Sequence, residues 1–239
     1  MKKIAIQRGH LYTTSPQTGT PGEQEAGRHI SLLLQAELEK YRDVYVDLLN
    51  SALGGIKKRY DLFIALHCDG SNKKNVSGYS VGYPRNDMVS KDFADVLWAT
   101  YGGSTGLRFR GLNITQGMSE YYGYSEINAG VKVLIEMGFL TNTSDKQLIM
   151  KDSAKVVNGI IAAIVEHFKL ELKEDQPEPP GRKLLRLIRK GLVIGTEEDM
   201  LFLQDGKMCA PVTDLLKRLQ IPFQVEAYPN EKGWAVKLS

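Results

Sequence analysis

Val131-Lys132-Val133-Leu134-Ile135-Glu136-Met137 is an apolar run too short for an ordinary helix and rich in β-branched residues. That combination reads as a buried strand. Glu136 interrupts it. A carboxylate that follows three large apolar residues and precedes Met137-Gly138-Phe139-Leu140 is costly to bury unless something pairs with it. Other segments on both sides repeat the rhythm. Lys3–Ile6, Val44–Leu48, Asp61–Leu66 and Ser77–Tyr83 read as strands. Glu23–Lys40 reads as a helix, with Ile30, Leu33, Leu34 and Leu38 at helical spacing and Pro21-Gly22 just before its start. Ser90–Tyr101 and Ser153–Leu170 read as further helices. Strands interleaved with helices predict an α/β, three-layer domain whose central sheet is mixed, largely parallel and flanked by helices.

In such sheets ligands gather at the carboxyl ends of the strands. Arg8-Gly9-His10 follows the first strand and His67-Cys68-Asp69 ends the run Phe63-Ile64-Ala65-Leu66. Glu136 closes the last strand, and Glu23 and Glu25 open the first helix. Two neutral imidazoles and a carboxylate suit Zn²⁺ with one position open for water, and a further carboxylate supplies a base. Each group also has a plainer use. A histidine at a strand end often only caps the backbone, and Glu23 and Glu25 are well placed to answer the helix dipole.

The order of these residues resembles a known family. Gly9-His10 after the first strand, a glutamate opening the first helix, Ile64-Ala65-Leu66-His67-Cys68-Asp69, and Val133 to Asn142 with Asp145 and Leu148 beyond are together similar to the zinc-dependent N-acetylmuramoyl-L-alanine amidases of the amidase-3 type. These cut peptidoglycan, and many phage endolysins are among them. The likeness covers residues 1 to about 170. It implies His10, Glu23 and His67 as zinc ligands and Glu136 as the catalytic carboxylate. Glu23 is preferred to Glu25 because Glu23-Gln24-Glu25-Ala26-Gly27-Arg28-His29-Ile30 fits the family's helix register, and a start at Glu25 does not. The implied reaction is hydrolysis, by zinc-activated water, of the amide between N-acetylmuramic acid and the L-alanine of the stem peptide.

The chain departs from the family pattern in places. Gln7-Arg8-Gly9-His10-Leu11-Tyr12 replaces a Asp-Pro-Gly-His-Gly-Gly type loop, and Leu48-Leu49-Asn50-Ser51 stands where a Thr-Arg pair is usual. Cys68, next to a ligand on a strand, should face the other way and pack. His29 and His167 lie on helices without matched neighbours and read as surface or structural. The segment from Gly106 to Gly130 is expected to line a substrate groove, with Arg108, Arg110, Asn113, Gln116, Glu120, Tyr121, Tyr122 and Tyr124. An arginine there could orient a stem-peptide carboxylate.

Composition sets the outer bounds. The chain has 239 residues, 42% hydrophobic and 25% charged, with a net charge of +3, values that exclude a disordered or collagen-like chain. The charge is too small to make nucleic acid the leading partner. No stretch approaches the ~20 apolar residues of a membrane span, and Ile4–Ile6 is too short for a signal-peptide core. Cytoplasmic synthesis without a signal peptide is therefore expected, with action on the bacterial wall after holin-type release. Cys68 and Cys209 give no disulfide framework.

Lys173–Lys183, with prolines at 177, 179 and 180, reads as a linker between a catalytic domain, 1–172, and a small α+β C-terminal domain, 184–239. The latter opens with a basic helix around Arg182–Lys190, continues through a helix over Pro211–Leu219, and ends in a hairpin of Phe223–Ala227 with Trp234–Leu238. A stretch of it is similar to the copper-amine-oxidase N-terminal-like modules attached to some wall enzymes, without implying copper. Wall targeting or self-association as a homo-oligomer is the expected role. The rival functions are a zinc peptidase or carboxypeptidase acting on the stem peptide, and a catalytically idle wall-binding protein.

Overall fold

The computed structural model describes residues 1–11, 19–51, 53, 57–115 and 117–173, and beyond these the strand residues 192–193, 203–204, 207–208, 223–227 and 234–238. The chain divides into two compact units, Met1–Pro177 and Glu178–Ser239.

In the first unit six strands form one sheet: β1 (Lys2–Arg8), β2 (Val44–Leu49), β3 (Arg59–Asp69), β4 (Tyr79–Gly82), β5 (Phe109–Leu112) and β6 (Asn128–Phe139). Their spatial order is β2-β1-β3-β6-β4-β5. Every neighbouring pair is parallel except β4 against β6, so the sheet is mixed and largely parallel, as the pattern predicts. The central strands β3 and β6 are also the longest, and β3 is buried almost throughout. A strand covered on both faces needs a continuous apolar run, which is what Leu62–Leu66 and Val133–Ile135 supply.

Among the described residues five helices accompany the sheet: α1 (Glu23–Leu38), α2 (Met88–Thr105), α3 (Gly123–Glu126), α4 (Thr143–Met150) and α5 (Ser153–Phe168). Helix α1 packs on β1 and β3, α2 packs on β6, and α5 packs against both helices. Ile30, Leu34 and Leu38 of α1 and Ile160, Ile161 and Ile164 of α5 are the buried stripes that make this layer. The opposite face of the sheet carries a second buried cluster of Ala5, Phe63, Ala65 and Leu134 with Met118, Tyr124 and Ile127. That layer is slender, built from a 3-10 turn at Met118–Glu120 and the short α3.

In the first unit the segment after Gly106, expected as groove lining, contributes the edge strand β5, the turn at Met118–Glu120 and α3, and Thr143–Met150 forms α4; none of these elements was foreseen. Tyr124, expected in the groove, is buried in the core, because α3 turns its ring under the sheet.

In the second unit β7 (Leu192–Val193), β11 (Trp234–Leu238) and β10 (Phe223–Ala227) form an antiparallel sheet in the order β10-β11-β7. Strands β8 (Leu203–Gln204) and β9 (Lys207–Met208) pair separately. The β10–β11 pairing matches Phe223 to Leu238 and Ala227 to Trp234. The expected helices at 182–190 and 211–219 lie outside the described residues.

Candidate active site

The carboxyl ends of β1 and β3 bring His10 and His67 together, with ring centroids 5.1 Å apart and the rings nearly perpendicular. His10 adopts a left-handed backbone (φ 55°) that swings its ring back over the strand ends. Glu23, the first residue of α1, reaches in from above. Its Oε1 lies 3.0 Å from His67 Nδ1 and 3.6 Å from His10 Nε2. One donor atom from each of the three residues falls within 4.8 Å of the other two. Glu25, by contrast, is exposed on the outer side of the same helix.

Glycine makes this crowding possible. A Cβ on Gly9 would sit 2.7 Å from the His67 ring and 2.6 Å from the Leu66 carbonyl. One on Gly19 would sit 2.5 Å from Glu23 Oε2 and 2.7 Å from the His10 ring. The backbone is therefore pressed against the two imidazoles at positions where a side chain would displace them.

The charges are tuned for metal binding. Burial pushes the Glu23 carboxyl up, but the hydrogen bond and charge of His67, with N–H donors from Cys68 at 3.0 Å and Thr20 at 2.9 Å, outweigh it and hold the group below the usual carboxylate range. Burial lowers the His10 pKa, opposed by Glu23 and reinforced by His67, so its ring tends to be neutral. An ionised carboxylate and a neutral imidazole are the forms that bind zinc. The donor set thus fits a divalent ion of the zinc type.

Glu136 lies beside His67 in the β3–β6 register, so the two side chains project from the same face of the sheet. Immediately beyond them the register shifts, accommodating an extra residue of β6. Although the residue keeps partial exposure, its Oε2 is sealed from solvent without a hydrogen-bond partner. Burial, then the nearby charges of Asp69 and Glu23, raise its pKa well above the ordinary value. A carboxyl held in this state is ready to carry a proton.

Other residues singled out in the sequence separate into two groups. Tyr121 reaches His67 Nε2 at 3.2 Å, and Arg110 stacks over Phe139 at 4.7 Å while contacting Asp69 at 3.4 Å. Asn113 instead accepts a bond from the Tyr83 N–H, Glu120 pairs with Arg85, and Arg108 is exposed. Gln116 lies outside the described residues. Cys68 is buried, with its backbone N–H rather than its thiol serving the site. His167 packs edge-on against Phe93 and Phe168, and His29 is half-buried on α1. Gln7 received no role from the sequence, yet it hydrogen-bonds Tyr121 and Tyr122. The one sequence signal at Gln7 is an amide standing where the family pattern has an acid, and it does not point to the tyrosines.

An open α/β sheet with a His–Glu–His donor set and a sealed carboxylate near its strand ends defines a class of enzyme, a hydrolase with a site fit for a metal. The chain belongs to the Amidase_3 family, N-acetylmuramoyl-L-alanine amidase, whose model matches residues 4–166. Among solved structures it is similar to the N-acetylmuramoyl-L-alanine amidase from Clostridium difficile 630, with 19% identity, a TM-score of 0.57, and coverage of 70% of this chain and 97% of that one. It is also similar to the catalytic domain of the amidase CwlV from Bacillus (Paenibacillus) polymyxa var. colistinus, at 21%, 0.54, 72% and 100%. The catalytic domain of the CD27L endolysin targeting Clostridia difficile follows at 20%, 0.53, 70% and 98%. At these identities the likeness is one of fold. No curated protein matches the chain. Its activity is that of its family, hydrolysis of the muramoyl–L-alanine amide of peptidoglycan. Among the described residues no helix is long and apolar enough to cross a membrane.

Proposed function

We propose that this amidase works with a zinc ion held by His10, Glu23 and His67 and uses Glu136 as its catalytic carboxylate. The observation that carries the reading is the convergence of the three donor atoms within 4.8 Å. When bound, zinc supplies Lewis-acid polarisation of the scissile carbonyl and acidifies water toward neutrality. Glu23 stays ionised because two backbone N–H groups and His67 hold it so. Glu136 takes the proton of the attacking water and passes it to the departing nitrogen of L-alanine, a shuttle that its raised pKa suits. Arg110, braced by Phe139 and Asp69 near the site, orients a stem-peptide carboxylate.

The reading extends to the organisation of the chain. Residues 1–172 form the catalytic domain, 173–183 the linker, and 184–239 a unit for wall targeting or self-association. The chain acts on the wall as a lysin reached through holin-type release, in keeping with its likeness to an endolysin catalytic domain.

Metal analysis of variants tests the site. His67→Ala is expected to lose stoichiometric zinc. Glu136→Gln is expected to keep it while losing about 10²–10⁴-fold in turnover. Undiminished turnover in Glu136→Gln, or undiminished zinc in His67→Ala, overturns the assignment.

A further inference from the structure

The chain of hydrogen bonds behind His67 has a fixed direction. Tyr122 Oη lies 2.5 Å from the Ser51 carbonyl oxygen, which can only accept, so the Tyr122 hydroxyl donates there. With its one proton spent, Tyr122 can only accept from Gln7, which makes the Gln7 atom 3.0 Å away the amide nitrogen. The other end of the Gln7 amide is then the oxygen, and at 2.6 Å it takes the Tyr121 proton. Tyr121 in turn can only accept from His67 Nε2, 3.2 Å away. Nε2 therefore carries a hydrogen, which leaves Nδ1, the nitrogen that in the metal-free state donates to Glu23 Oε1 3.0 Å away, as the one a metal ion would take by displacing that hydrogen.

We infer that Gln7, Tyr121 and Tyr122 are positioning residues that hold His67 in the tautomer whose Nδ1 binds the metal. The inference rests on the metal site proposed above. Its anchor is local to that site: Ser51 accepts the chain's last proton while its own N–H donates to the Leu11 carbonyl at 2.8 Å and its hydroxyl to the Arg8 carbonyl at 3.1 Å. The His67 tautomer is thus set from the loop that carries His10. Gln7 is completely buried on β1, so its amide has no water to turn to. Partners of this kind, which touch a ligand but not the ion, commonly change metal affinity by about 10–100-fold.

The test is zinc affinity of the full chain, measured by competition with a chromophoric chelator, with the side-chain ¹⁵N shifts of His67 recorded in the zinc-loaded protein. Gln7→Leu frees the Tyr121 proton to turn toward Nε2 and is expected to weaken zinc by about 10–100-fold. Gln7→Glu still accepts from Tyr121 and is expected to recover most of that loss. Tyr122→Phe, at an exposed position, lets the Gln7 amide flip and is expected to weaken zinc in the same direction. Because each cut breaks the same chain, Gln7→Leu combined with Tyr122→Phe should be no worse than Gln7→Leu alone. The ¹⁵N shifts should show Nδ1 bound to metal and Nε2 protonated in the parent protein. His67→Ala serves as the reference. If it loses zinc while Tyr122→Phe binds as tightly as the parent, or if Nε2 is the metallated nitrogen, the positioning chain is wrong and the metal site stands. If His67→Ala itself retains parental affinity, it is the metal site that fails.

Discussion

Glu136 shows what the site costs the protein at the level of one residue. Its carboxyl has a sealed, unpartnered oxygen and a raised pKa, so the metal-free fold holds a proton there more tightly than the unfolded chain does. The preference contributes stability that is fully present below the ordinary pKa of about 4.3 and is lost as pH rises through the raised native value. Glu136→Gln removes that dependence. The metal-free variant should melt above the metal-free parent at neutral pH, with the gap closing below about pH 4. Melting curves in chelator at both pH values check this, and a gap independent of pH would contradict the burial of the charge. Gly9→Ala should act on the other side of the site. The Cβ it adds meets the Leu66 carbonyl and the His67 ring below 3 Å, and zinc binding should fall by at least about tenfold. Equilibrium dialysis would detect it, and parental affinity would show that the loop yields. His10, His67 and Glu136 were legible in the sequence because strand ends in an α/β sheet are where polar groups collect. Gln7 was not, because its role depends on tyrosines 114 and 115 positions away, contacts that no local pattern encodes.

Elements were legible in proportion to their length. Helices α1 and α5 carry enough turns for an apolar stripe to stand out, and β3 and β6 are continuous apolar runs. Strand β5 is four residues with Arg110 and Gly111 in the middle, and it exists because β4 offers an edge to pair with. Helix α4 spans eight residues and is held largely by its first turn. Asn142 caps it through bonds from the Ser144 and Asp145 N–H groups. Asp145, fully buried, accepts from the Ser77 hydroxyl at 2.6 Å and from the N–H groups of Gly78 and Phe139 at 3.0 Å. It ties α4 to the start of β4 and the end of β6, one residue pair beyond the His67–Glu136 register. Asp145→Ala strands two buried N–H donors, those of Gly78 and Phe139, and should destabilise the fold by about 2 kcal/mol or more. Urea denaturation measures it, and a loss under about 1 kcal/mol would mean that water replaces the carboxylate.

At the scale of the whole molecule the catalytic reading belongs to the first unit, Met1–Pro177, which contains the entire stretch matched by the amidase family. The second unit has its own strands and pairing. A chain cut after residue 177 should therefore fold and keep its amidase activity on solubilised muropeptides, while losing wall pelleting or self-association supplied by residues 184–239. Co-sedimentation with purified walls and light scattering separate those two roles, and loss of muropeptide cleavage on truncation would contradict the division of labour. The stretch Lys173–Lys183, expected as a linker, lacks the apolar surface a packed segment needs, and the division between the two units falls within it. Both the charge and the hydrophobic content of the full chain fit a folded enzyme without singling out its substrate, which comes from the ordered constellation on the first unit.

Digestion of purified peptidoglycan by the zinc-loaded protein, with and without chelator, followed by mass spectrometry of the products, tests the central claim most directly. The account predicts stem peptides that begin with L-alanine, released intact from glycan and abolished by chelation. Cuts inside the stem, or release of L-alanine-terminated stems undiminished by exhaustive chelation, would contradict it.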